Sequence, residues 1–316
     1  MPSSESRRLF CQWSHCCRRV LARLRRVGSI LITIVGSLVP VSGYAIGPVE
    51  SAELLRSKVK SMSVEFDDNQ FRRAIHLESR DSAEKLEGEV YSIVDYPFAT
   101  VSEALSESLN WCDVLMLHFN VKYCHAAESS EATTLSIGLG KKYEQPLADA
   151  YQIQFVYRRR SFDPNYFSIE LTAGSGPLST RDYHFEVEAI PAVNERTLIH
   201  LTYSYAFGMS GRLAMHGYLA TTGRDKMGFT ITGRTPAGEP IYIRGVRGVI
   251  ERNTMRYCLA IEAYLAALGA PPKEQLEKRL QYWYRSTEQY ARQLHEMDLD
   301  DYLALKRHEN ARLQGG

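Results

Sequence analysis

Residues 110–125, NWCDVLMLHFNVKYCH, place Cys112, Asp113, His118, Cys124 and His125 within sixteen positions. Three chemistries draw on these residue types: a metal site, a thiol nucleophile activated by histidine, and a disulfide closing a turn. Zinc favours close pairs such as C-x2-C, with two further ligands elsewhere. Here Cys112 and Cys124 stand twelve apart, with only His118 and His125 nearby. A Cys–His nucleophile pair requires a reduced thiol, and an oxidising compartment disfavours one. The choice therefore depends on where the chain resides.

The first 45 residues carry seven arginines (Arg7, Arg8, Arg18, Arg19, Arg23, Arg25, Arg26) against one acid, Glu5. An uncharged stretch, VGSILITIVGSLVPVSGYA, follows from Val27 to Ala45. A basic head, an apolar middle and a small-residue exit are the parts of a secretory signal, and cleavage after Ala45 is expected. An uncleaved N-terminal anchor is the alternative, because the stretch approaches the length of a bilayer span. The expected location is outside the cytoplasm, in a periplasm. There a Cys112–Cys124 disulfide is favoured over metal or nucleophile, tying a helix to the following strand and contributing roughly 3 kcal/mol. Cys258 is left as a small buried core residue. No metal and no cofactor are expected.

Removing the seven arginines and one acid of the first 45 residues turns 38 basic and 37 acidic residues into 31 and 36. That balance argues against a nucleic-acid partner. The hydrophobic fraction of 44% suits a globular protein with a real core.

Chemistry-bearing residues need elements to position them. A short helical pattern runs from Ala52 to Met62. FRRAIHLES puts Phe71, Arg73, Ile75 and Leu77 on one face and Arg72, Ala74, His76 and Glu78 on the other, and EVYSIVDYPF is a second strand. From Thr100 the spacing of Val101, Leu105, Leu109, Cys112, Leu115, Met116 and Phe119 predicts one amphipathic helix. YQIQFVYR, YFSIELTA, YHFEVEAI and TLIHLTYSYAF then read as antiparallel strands with one aromatic-rich dry face. His184, His200, Glu186 and Glu188 fall on the opposite, wet face. GVRGVIERNTMRYCLAIEAYLAAL predicts a long helix, broken at Gly269–Pro272. Residues Lys273 to Met297 read as an appended surface helix.

This order, with DYPFATVSEALSESLNW as the hairpin-to-helix step and RGVRGVIERNTMRYCLAIEAYL as the closing helix, resembles the START-like or helix-grip (SRPBCC) superfamily of lipid-transfer and polyketide-cyclase proteins. The resemblance spans roughly Phe71 to Leu268. It implies an α+β fold, a curved antiparallel sheet wrapped around a long C-terminal helix, with an internal cavity for a lipid or another hydrophobic small molecule. The expected organisation is a signal (1–45), a lead-in (46–70), a ligand-binding domain (71–270) and a helical extension (271–316). The expected lining is Arg73, Ile153, Phe155, Tyr157, Phe167, Ile169, Tyr183, Phe185, Ile199, Leu201, Tyr203, Tyr205, Met255 and Leu259. The loops at Gly174–Thr180 and Gly223–Phe229 would gate access, with transient membrane contact. A carrier is the leading reading. A cyclase- or aromatase-like enzyme using the same cavity, and an envelope protein docking through its C-terminal helix, are the alternatives.

Overall fold

The computed structural model describes residues 47–62, 66, 69–220 and 223–314. The arginine-rich head and apolar stretch expected to direct export lie outside the described residues. Among the described residues, no helix is long and apolar enough to cross a membrane.

The alternating segments form one eight-stranded sheet: β1 (Ile75–Asp81), β2 (Lys85–Val94), β3 (Val121–Glu128), β4 (Thr133–Leu139), β5 (Tyr151–Asp163), β6 (Tyr166–Ser175), β7 (Thr180–Ala192) and β8 (Arg196–Phe207). Every pairing is antiparallel, in the order β1-β2-β8-β7-β6-β5-β4-β3. Register aligns side chains into rows across strands. One inward row runs from Tyr157 through Leu171, Phe185 and Tyr203 to Gly88, and another from Ile169 through Val187 and Leu201 to Val90. Period-two alternation sends these side chains to one face, where burial drives them against a helix.

That helix is α5 (Gly245–Ala267), which crosses β1, β2 and β8 and buries Met255, Leu259 and Ala263 completely. Its approach needs Gly88: a Cβ there would collide with Thr254 Oγ1. A curved antiparallel sheet gripping a long helix is the α+β arrangement the element order predicted. A minor hairpin, β9 (Ile231–Arg234) and β10 (Pro240–Tyr242), precedes α5.

Four departures from the sequence reading have physical causes. The single helix expected over 101–119 is two, α2 (Phe98–Ser106) and α3 (Ser108–Leu115), joined at Glu107 in extended conformation. Side chains cap the carbonyls this break exposes: Asn110 Nδ2 donates to Ala104 O at 2.7 Å, Trp111 Nε1 to Leu105 O at 2.9 Å, and the Tyr157 hydroxyl to Ser106 O. Strand β4 was not anticipated, its Leu135, Ile137 and Leu139 being spaced by Ser and Gly. The outer face is also not uniformly wet. Helix α1 (Pro48–Ser61) lays Ala52 and Leu55 over Tyr91, Tyr166, Ile190 and Leu198. Beside this cover His200 stacks on Tyr91 at 4.2 Å between Glu188 (2.8 Å) and Glu89 (3.3 Å), an enclosed position rather than a solvated one.

The last departure is the C-terminal segment, which is not an appendage. Helices α6 (Pro272–Glu288), α7 (Ala291–Leu294) and α8 (Leu299–Gln314) bury Leu280, Trp283, Leu294 and Tyr302 in the main core. The Trp283 indole donates to Arg256 O at 3.0 Å and the Tyr302 hydroxyl to Leu117 O at 3.0 Å. Lys306 Nζ reaches His118 O, Val121 O and Glu309, and Glu309 also accepts from Lys122 at 2.8 Å; all three side chains are fully buried. The contacts of Tyr302, Lys306 and Glu309 converge on 117–122, the bend between α3 and β3.

Candidate ligand-binding cleft

That bend is part of the segment whose cysteines first suggested chemistry. Cys112 on α3 and Cys124 on β3 are bonded, and Cys258 is buried and free. Burial pushes the Cys258 thiol well up, which suits an inert core residue. His125 is exposed on β3, whereas His118 is buried, its ring stacked on Tyr257 at 5.3 Å. Burial lowers the His118 pKa well below its usual value, and Arg256 and Lys306 reinforce the shift, so the imidazole is neutral near pH 7.

Behind Tyr257, between α5 and the sheet, lies a pit of about 40 Å³. Its walls come from β4 (Ile137, Leu139), β5 (Ile153, Phe155) and β6 to β8 (Leu171, Phe185, Tyr203), together with Leu115 and Val121. Aromatic rings keep it small. Tyr257 meets Phe185 and Tyr203 edge-on, each at 5.3 Å, and Tyr183 stacks on Tyr205 at 5.3 Å. Burial raises the Tyr203 and Tyr257 pKa values far above the ordinary phenol, so both remain neutral hydrogen-bonding groups at any physiological pH.

Tyr203 also borders two clefts of about 350 Å³ each that open outward. One is lined by His118, Asn120, Lys141, Gln145 and Tyr151. The other is lined by Lys142, Arg252 and Arg256 with Asn120 and Asn253, and by Pro177 and Leu178 of the Gly174–Thr180 loop. In that loop Leu178 and Ser179 both adopt left-handed backbone conformations (φ 56° and 61°), a costly state for side chains with a Cβ. Leu178 is 68% exposed, and Leu213 on α4 (Met209–Ala220) is 75% exposed. The same helix contributes Met215 to the mouth.

Glu296, between α7 and α8, holds this rim together. It accepts from Lys142 (2.6 Å), Arg256 (2.7 Å) and Lys226 (2.9 Å). Burial would raise its carboxyl, but Arg256 and Lys142 pull it down to about 2. Burial lowers the Lys142 ammonium to about 8 despite Glu296. Lys226 brings the Gly223–Phe229 loop to the rim, while Phe229 is buried against Phe71 and Tyr290.

The sequence-predicted lining divides. Ile153, Phe155, Tyr183, Phe185 and Tyr203 wall the pit, and Tyr205 borders the cationic mouth. Tyr157 instead closes the break after α2. Phe167, Ile169, Ile199, Leu201, Met255 and Leu259 are buried in the core without bordering the cleft. Arg73 points inward but pairs with Glu262 at 2.6 Å, beside a separate hollow of about 770 Å³ shared with Tyr282 and Arg285. That hollow is larger but lacks the apolar floor a hydrophobic ligand needs. The sequence reading missed Tyr257, whose neighbours Met255 and Leu259 carried the helical period, and all the mouth cations. Alternation in TTLSIGL was the available signal for Ile137 and Leu139.

No family model matches this chain, and no curated protein matches it. Solved structures with some likeness include TTHA0849 from Thermus thermophilus (12% identity, TM-score 0.37, covering 58% of this chain and 99% of that one). Two others are the ZhuI aromatase/cyclase from Streptomyces sp. R1128 (16%, 0.33, 66% and 95%) and human StAR-related lipid transfer protein 5 (9%, 0.29, 54% and 89%). The helix-grip fold of this chain follows from its strand order and from the helix the sheet encloses.

Proposed function

We propose that the protein is an exported carrier that binds a hydrophobic or amphipathic small molecule between the sheet and α5. The observation that supports this most is that an apolar, aromatic-walled pit adjoins, at Tyr203, clefts that reach solvent. Such a concave site, with a few hydroxyls and amides at one end, suits a ligand with an apolar body. Each methylene it removes from water contributes about 0.8 kcal/mol. The empty pit holds only about 40 Å³, so binding requires Tyr257 and the Pro177–Thr180 turn to shift. Exposed Leu178 and Leu213, near the mouth, are the groups that would meet a membrane during transfer.

Filling the pit tests the reading. Ile153→Phe adds volume inside the small pit and costs about 1–3 kcal/mol of stability by overpacking. The variant should fold yet lose uptake of a fluorescent apolar probe that the parent binds. Unchanged uptake would place the binding site elsewhere.

Enzymatic use of the cleft is the second reading, and one observation favours it: a neutral imidazole, His118, beside Tyr257 and Asn253. That reading requires His118→Gln to abolish a turnover while leaving ligand uptake intact.

A further inference from the structure

The cleft beside the apolar pit has an uneven charge. Lys142 comes from the loop after β4, and Arg252 and Arg256 lie one turn apart on the same face of α5. Asn120 and Asn253 are the amides among them, and none of the described side chains lining this space is acidic. Both arginines are 3% exposed, so their charges are held where solvation is poor. Glu296 serves Lys142, Arg256 and Lys226 together, one carboxylate among three cations. Arg252 Nη1 faces the Met227 carbonyl at 3.4 Å. Asp149 is the acid of the neighbouring cleft, which Lys141 and Tyr151 also line. A space bounded by several cations and adjoining an apolar pit matches one ligand chemistry: an apolar body ending in a negative charge.

We propose that the cleft selects amphiphiles with an anionic head, a carboxylate in the simplest case. Lys142 and Arg252 hold the head at the mouth while the tail passes Tyr203 into the pit. A guanidinium presents parallel donors that match a carboxylate's two oxygens, and the buried setting strengthens the pairing. Lys142 swings between Glu296 and the ligand, which fits its place on a loop rather than on the helix. The inference rests on the cleft being the ligand site and adds the sign of the charge at one end.

Three probes with the same tail separate the two ideas: decanoate, decanol and decyltrimethylammonium, each titrated into the full chain by native mass spectrometry. The expected order is decanoate tightest, by about tenfold over decanol, which is one charge-assisted contact's worth of discrimination, with the cation weakest. Lys142→Gln and Arg252→Lys should shrink the decanoate-to-decanol ratio. Lys142 sits at the partly exposed rim, so its variant keeps the test available if the buried arginine proves intolerant. Equal binding of all three probes, or a ratio unmoved by Lys142→Gln, overturns anionic selection and leaves the carrier reading standing. Variants that weaken decanoate and decanol equally would show that the cations only support the fold. Binding of none of the three overturns both ideas.

Discussion

At the scale of single residues, Glu296 decides the state of the mouth. Replacing it with Gln leaves Arg256, Lys142 and Lys226 without their shared acceptor, and removing one partner of a buried ion pair costs about 3–5 kcal/mol. Its carboxyl titrates near 2 when folded against 4.5 ordinarily. The native state therefore binds fewer protons than the unfolded chain in that window. The stabilisation is complete above about pH 4.5 and is lost as pH falls toward 2. In urea melts, the gap between parent and Glu296→Gln should be narrower at pH 3 than at pH 7; an equal gap at both would assign the loss to another cause. His200 carries the opposite sign. Burial alone would lower it, but Glu188 and Glu89 raise it from 6.5 to about 9, so its contribution is full below 6.5 and fades as pH rises through 9. His200→Gln should therefore lose more stability at pH 6 than at pH 10, measured the same way.

The cysteines were legible at this scale because spacing and expected compartment both bear on them. Of the three cysteines after Ala45, one thiol should react in denaturant without reductant, and Cys112→Ser should cost roughly 3 kcal/mol. Three reactive thiols would contradict the bond. The mouth cations were not legible. Lys142 and Arg252 are separated in sequence by half the strands of the sheet, β5 to β8, and only the closing of α5 onto β8 brings them to one opening.

At the scale of elements, alternation and helical period located most strands and α5, because half-buried sheets and helices imprint their periods on the sequence. They failed where side chains act on backbone. The break at Glu107 depends on Asn110 and Trp111 bonding back to the carbonyls of α2, which apolar spacing does not encode. The C-terminal segment misled through composition. Its charged residues suggest a surface helix, yet Leu276, Leu280 and Trp283 recur at four and three and face the core. Two of its helices lock the α3–β3 bend through Trp283, Tyr302 and Lys306. Burial lowers the Lys306 ammonium to about 8 although Glu309 opposes the shift. Truncation after Gly269 should abolish cooperative unfolding by circular dichroism, and Trp283→Ala should cost about 3–5 kcal/mol. A truncated chain that melts cooperatively would restore the view of this segment as a separate docking element.

At the scale of the whole molecule, the sheet, α5 and the C-terminal helices enclose one core, and the cleft is where that core is incompletely filled. The arrangement of pit, tyrosines and cationic mouth gives the molecule a direction: apolar inside, positive at the opening, leucines exposed nearby. A basic head and apolar stretch preceding residue 46 would deliver it outside the cytoplasm, where the disulfide is stable. Native mass spectrometry of the protein purified from its own cells without detergent tests the central claim most directly. The account predicts extra mass that disappears on denaturation and reappears when the extracted molecule is added back. A folded protein of bare polypeptide mass that accepts neither its cell's lipid extract nor a decyl-chain amphiphile would contradict it.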